Sequence, residues 1–226
     1  MHMEPVKIKL KNKDVISSCS SRWWGNPWMP REIEYPHFKD SFGDYYPYNF
    51  ICQIRLEEVR QVCPKKGLPR TGMLYFFAKL DYCLGRNVPE EEIMRPGILA
   101  KDAIKVIYIR NVEEPELTEH EILTDDNMPF SPAPRQIQFA AEGEPDGADI
   151  TVRGHRLLGM PGGMTSGDWV EPCRGWRLLL QVNPDEDTDF NLRFPEGGSL
   201  YFLIDPGDLK RRNFSKVRAL VYRIPE

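Results

Sequence analysis

The sequence predicts an α+β domain, mainly antiparallel β with short helices, built as an internal duplication of two related units packed into one domain over residues 1–226. Three observations lead there. Eight short stretches rich in β-branched and aromatic residues are bounded by Gly, Pro, Asn or Asp, the pattern of strands. Helical spacing occurs only in fragments. A set of landmarks also recurs in the same order about 130 residues apart.

Taken in order, the predicted strands are PVKIKL, YNFICQIRL, GMLYFFAKLDY, AIKVIYIR, RQIQFAA, WRLLLQVN, SLYFLID and KVRALVYRI. Helical signals are brief. RLEEVRQVC places Leu56, Val59 and Val62 at helical spacing, PEEEIMR is acidic in its first turn after Pro89, and DPGDLKRRNF offers one turn capped by Asp205 or Asp208. Segments this short form helices only by packing on a sheet. The recurring landmarks are a Gly-x-Pro (Gly25 and Pro27; Gly159 and Pro161), an apolar strand with a Gln (Gln53; Gln181), a Gly-x-Leu-Tyr-Phe strand (Gly72 to Phe76; Gly198 to Phe202) and a Lys-Val strand. The first unit is expected over about 22–112, a connecting segment over 113–154, and the second unit over about 155–223.

Composition narrows the classes. Apolar residues make up 41% and charged residues 28%, as in ordinary globular proteins. With 30 Lys and Arg against 34 Asp and Glu, and no basic stripe interleaved with aromatics, no nucleic-acid partner is expected. The apolar runs fall far short of the roughly 20 residues of a membrane-spanning helix, so no membrane partner is expected either. The N-terminal MHMEPVKIKLKNKD has no apolar core of a secretory signal. Five scattered cysteines without a CxxC pair argue against a disulfide framework or structural zinc, and the expectation is a cytoplasmic protein.

The stretches WWGNPWMP, YPYNFICQIRLEEV, GLPRTGMLYFF, HRLLGMP, WRLLLQVNPDED and GGSLYFLIDPGDL with the later FSKV resemble the YwqG-like family of bacterial proteins of unknown function. The resemblance runs from Trp23 to Val217 and is strongest from Trp176 to Leu209. It implies a mainly antiparallel α+β fold and no established activity. One departure is Met164-Thr165-Ser166, where the family carries a polar segment with Gln after the Gly-x-Pro.

Several constellations are candidates for function. Gln53 and Gln181 sit in apolar strands, and a buried amide must find partners. Each either clamps a neighbouring loop or points into a cleft between the units to meet a ligand. Arg22, Trp24 and Trp28, with Tyr35, Tyr45, Tyr46 and Tyr48 following, have the composition of a partner-binding surface and equally of a covered sheet edge. His155 and Trp176 lie in the family-like stretches and join Gln53 and Gln181 as candidate ligand contacts. Asp185, Asp187, Asp189 and Glu196 fall on a calcium-loop count, but Phe190 stands where that loop needs Gly, so the weak metal candidate competes with a solvated acidic loop. No catalytic residue and no cofactor is expected: there is no nucleophile elbow, phosphate loop or HExxH. The leading expectation is a non-enzymatic binding or protein-interaction module whose partner is an unknown protein, an immunity-type role being one form of it. The alternative is a small-molecule-binding protein or enzyme with its site in the cleft between the units.

Overall fold

The computed structural model describes residues 4–40, 42–64, 67–84, 97–124, 128, 132–141, 154–159, 173–184, 192–194 and 197–222. Its centre is one antiparallel sheet. The strands of that sheet are β1 (Val6–Lys11), β2 (Arg22–Trp23), β6 (Asn49–Arg55), β7 (Met73–Ala78), β8 (Gly97–Ile98), β9 (Ile104–Ile109), β11 (Arg135–Ala141), β12 (Arg156–Leu157), β13 (Arg177–Val182), β14 (Ser199–Ile204) and β15 (Arg218–Tyr222). Across the sheet they run in the order β8-β15-β14-β13-β12-β1-β11-β2-β6-β7-β9. Two small ribbons lie outside it: β3 (Trp28–Pro30) with β10 (Leu117–Glu119), and β4 (His37–Lys39) with β5 (Tyr45–Pro47).

The sheet curls into a barrel-like form, and Phe76 of β7 meets Phe202 of β14 edge to face, 5.3 Å between centroids. The curl has a visible cause. Both β6 and β13 carry one extra residue, Ile51 and Leu179, against their partners, and a bulge bends a strand and sharpens its twist. Continuous apolar runs such as MLYFFA are strands buried on both faces. Leu74, Phe76 and Ala78 enter the principal core, while Met73, Tyr75 and Phe77 enter a second cluster under the two small ribbons. On the other half, Leu178, Tyr201, Leu203 and Leu220 turn away from the principal core and cover Cys173.

This architecture corrects the expected α+β duplication. Among the described residues the α-helices are α1 (Leu56–Val62), α2 (Leu80–Cys83) and α3 (Pro206–Arg211), each two turns or less, so the fold is mainly antiparallel β. The strands β1 and β11, which lie outside both expected units, pair over six rungs in the middle of the sheet. The shared landmarks therefore describe two stretches of one continuous sheet rather than two packed α+β units. Pattern matching sees which stretches are alike and not which strands pair between them, which is why the expectation fails. The expected helix in PEEEIMR lies outside the described residues.

The turn that leaves β2 is tight. Trp24 adopts φ +58°, a left-handed conformation rare for a bulky side chain. That conformation costs about 1–2 kcal/mol, and complete burial of the indole returns about 4 kcal/mol by area, so packing decides the geometry.

Candidate functional site

Gln53 has no exposed surface and uses its whole amide. The Trp28 backbone N–H donates to its Oε1 at 2.9 Å, and its Nε2 donates to the carbonyls of Ser18 at 2.8 Å and Ser20 at 2.9 Å. The residue staples two loops, 18–20 and the segment after Pro27, onto β6. Arg22 stands opposite it in register. The Arg22 guanidinium, also buried, donates to the carbonyls of Ile16 and Asn26 and lies 6.0 Å from the Trp28 ring centroid. The structure thus brings Arg22, Trp28 and Gln53 together, and each is engaged with main chain or ring. Trp24 is buried in the principal core.

Gln181 is likewise inaccessible, with its Nε2 donating to Asn183 Oδ1 at 2.8 Å, and it makes a further interaction. His155 joins this second group because the Asn183 N–H donates to its Nδ1 at 3.1 Å, which leaves the imidazole proton on Nε2. The His155 ring stacks on Trp23 at 4.2 Å. Four strands separate β6 from β13 in the sheet, and the described partners of Gln53 and Gln181 do not overlap. Trp176 packs against the cluster of Cys173, Leu178 and Tyr201. Asp185, Asp187, Asp189 and Glu196 lie outside the described residues, and among the described residues no three metal-ligating side chains gather.

Burial holds several ionisable groups around these strands in their neutral forms. Burial pushes the Cys83 thiol up to about 12 and raises Cys52 well above its ordinary value, which disfavours the reactive thiolate. Burial, aided by Arg135, pushes His155 down to about 3, so its neutral form is the native one. The stability consequence has a definite sign: the folded pKa lies below the ordinary value near 6.5, so the contribution is complete above pH 6.5 and is lost as pH falls toward 3. At pH 5 the unfolding free energy is expected to be about 2 kcal/mol lower than at pH 7.5 on this account. His120, also lowered by burial, acts in the same direction and Glu58, raised by burial, in the opposite one. The difference between wild type and His155→Gln in urea titrations at the two pH values isolates the His155 share, and an identical pH dependence in both proteins refutes it.

Two features stand apart from these stapled groups. The first is the β4–β5 ribbon, where Phe42 is 91%, Tyr45 70% and Tyr46 47% exposed. Its tip is held by Asp40, whose Oδ1 accepts from the backbone N–H groups of Phe42, Gly43 and Asp44 at 2.8–2.9 Å. The second is a pocket of about 380 Å³ between α1 and α3, with Leu56, Val59, Leu158 and Leu209 inside it and Arg60, Arg70, Lys210 and Arg212 also lining it. Sequence reasoning named Tyr45 and Tyr46 only as part of one aromatic run and missed Phe42 and the four cations. The available signal was that both short helices carry a basic residue in their last turn.

Compared with known families, residues 21–221 match the model of a domain of unknown function, DUF1963. No curated protein matches the chain.

Proposed function

The chain belongs to the DUF1963 family, a domain of unknown function, and from that premise we propose that it is a non-enzymatic binding protein whose partner is another protein. The observation that carries this reading is the β4–β5 ribbon. Three aromatic side chains stand in water within five positions, although burying each one would remove roughly 100–200 Å² from solvent. Exposed apolar clusters of this kind mark interaction sites. The tip is preorganised by the three N–H bonds to Asp40, so little ordering entropy opposes docking. From beneath, Phe38 anchors the ribbon against Tyr48, ring centroids 5.1 Å apart, with Lys79 Nζ 4.5 Å from its centroid. Phe42, Tyr45 and Tyr46 then supply rigid contact area of the type that dominates protein interfaces. The resemblance to the YwqG-like family supports a bacterial, cytoplasmic setting, and no helix among the described residues is long and apolar enough to cross a membrane.

The test is photo-crosslinking. A benzophenone side chain placed at position 42 is expected to capture a protein in native cells, while the same group at the exposed Lys9 does not. The Phe42→Ser, Tyr45→Ser, Tyr46→Ser triple variant is expected to lose the captured complex with a melting temperature within about 4 °C of wild type, because exposed substitutions cost little. Equal capture from positions 42 and 9 would overturn the proposal.

A further inference from the structure

We propose that the pocket between α1 and α3 is a binding site for a small soluble phosphate monoester with a compact apolar body. The pocket shares no lining residue with the aromatic ribbon. Its volume of about 380 Å³ falls within the size range of small-molecule sites. Leu56, Val59, Leu158 and Leu209 are buried apolar residues at its wall, whereas Arg60, Arg70, Lys210 and Arg212 are exposed cations around it.

The decisive point is what these cations lack. Among the described residues, Arg60, Arg70, Lys210 and Arg212 form no ion pair with the carboxylates around them, and each of those carboxylates is already committed. Glu57 pairs with Arg55 at 2.9 Å and accepts from the Gly72 N–H. Glu58 accepts from the Ser21 N–H, and Asp208 is held by Arg211 and Asn213. Four positive charges gathered around one hollow repel one another, and they do so in a chain whose net charge is −4, so general basicity does not explain them. Helix dipoles account for only part of the set. Arg60 and Lys210 lie in the last turns of α1 and α3 and Arg212 is the C-cap of α3, where a cation is favoured, but Arg70 lies beyond either helix.

An occupant that brings more than one negative charge and an apolar portion suits this lining. A phosphate monoester meets both needs: it is close to dianionic at neutral pH, and guanidinium groups bind phosphate oxygens in a bidentate manner. Leu56, Val59, Leu158 and Leu209 take its organic part.

Phenyl phosphate is the compound to titrate by calorimetry against the full chain, with inorganic phosphate and phenol as separated halves and phosphatidic-acid vesicles as the lipid source of the same chemistry. The expected result is saturable binding of phenyl phosphate, at least about tenfold tighter than inorganic phosphate, with phenol too weak to measure. Arg70→Ala and Lys210→Ala, both exposed substitutions, are each expected to weaken it roughly tenfold, the loss of one charge-assisted hydrogen bond, with unchanged melting temperature. Lys39→Ala on the distant ribbon should leave it unchanged. Binding of phenyl phosphate no tighter than inorganic phosphate, equal binding by the Ala variants, or binding of the vesicles without the soluble ester each overturns the proposal.

Discussion

Replacing Gln53 by Leu is expected to lower the unfolding free energy by about 3–5 kcal/mol. Leu is one bond shorter than Gln and removes three hydrogen bonds at once. What remains is a Trp28 N–H and two serine carbonyls facing an apolar side chain. An unpaired buried polar group costs about 1–3 kcal/mol, and partial access of water to two of the three keeps the sum below its upper bound. Against a total stability of roughly 5–15 kcal/mol for a domain, the loss is large. For a chain of this size it corresponds to a fall of roughly 10 °C in melting temperature. Gln181→Leu, which removes the bond to Asn183, is expected to cost about 1–3 kcal/mol. Urea denaturation of the two variants beside wild type measures both. If either variant keeps the wild-type stability, that glutamine is free to serve a ligand and the stapling role is wrong for it.

The glutamines show what a sequence can reveal. A polar residue inside NFICQIR or RLLLQV stands out against an apolar run buried on both faces, so its burial and its need for partners were both legible. The identity of those partners was not. Ser18, Ser20 and Trp28 lie 25 to 35 residues away from Gln53, and nothing in their own side chains announces that their backbone groups are used. The same limit explains the misjudged architecture. The strands β1 and β11 were recognised one by one, but their pairing across 130 residues depends on a register that alternation alone cannot fix between distant segments. The aromatic run divided for a related reason. Trp23, Trp24, Tyr35 and Tyr48 are buried and Tyr45 and Tyr46 are exposed, a sorting made by which loop the sheet leaves room to cover. The cationic pocket was harder still, because α1 and α3 are about 150 residues apart in the chain and meet only once the sheet has curled.

Gly72→Ala is expected to be as damaging as Gln53→Leu, and it reaches the pocket as well as the fold. Gly72 sits at φ +104°, a region closed to side-chain-bearing residues. A Cβ there would lie 2.2 Å from the Ile109 carbonyl oxygen and 2.8 Å from that of Arg110. Both are backbone atoms at the end of β9, so no rotamer change relieves the clash and the strand itself must move. Backbone strain of about 1–3 kcal/mol adds to an overpacking cost of similar size, about 3–5 kcal/mol together. The displaced residue also holds α1 in place: its carbonyl accepts from the Leu56 N–H at 3.0 Å, and its N–H donates to Glu57. Loss of Gly72 should therefore loosen the first turn of α1 and weaken phenyl phosphate binding even in the fraction that remains folded. Gly175→Ala is the matched control, since Gly175 has φ +77° with nothing within 4 Å among the described residues, and only the left-handed cost of about 1–2 kcal/mol applies. Chemical denaturation and phenyl phosphate titration of both variants separate conformation from close approach. Equal losses in the two proteins would mean that the contact with β9 imposes nothing, whereas the expected result is a loss at Gly72 at least about 2 kcal/mol greater than at Gly175.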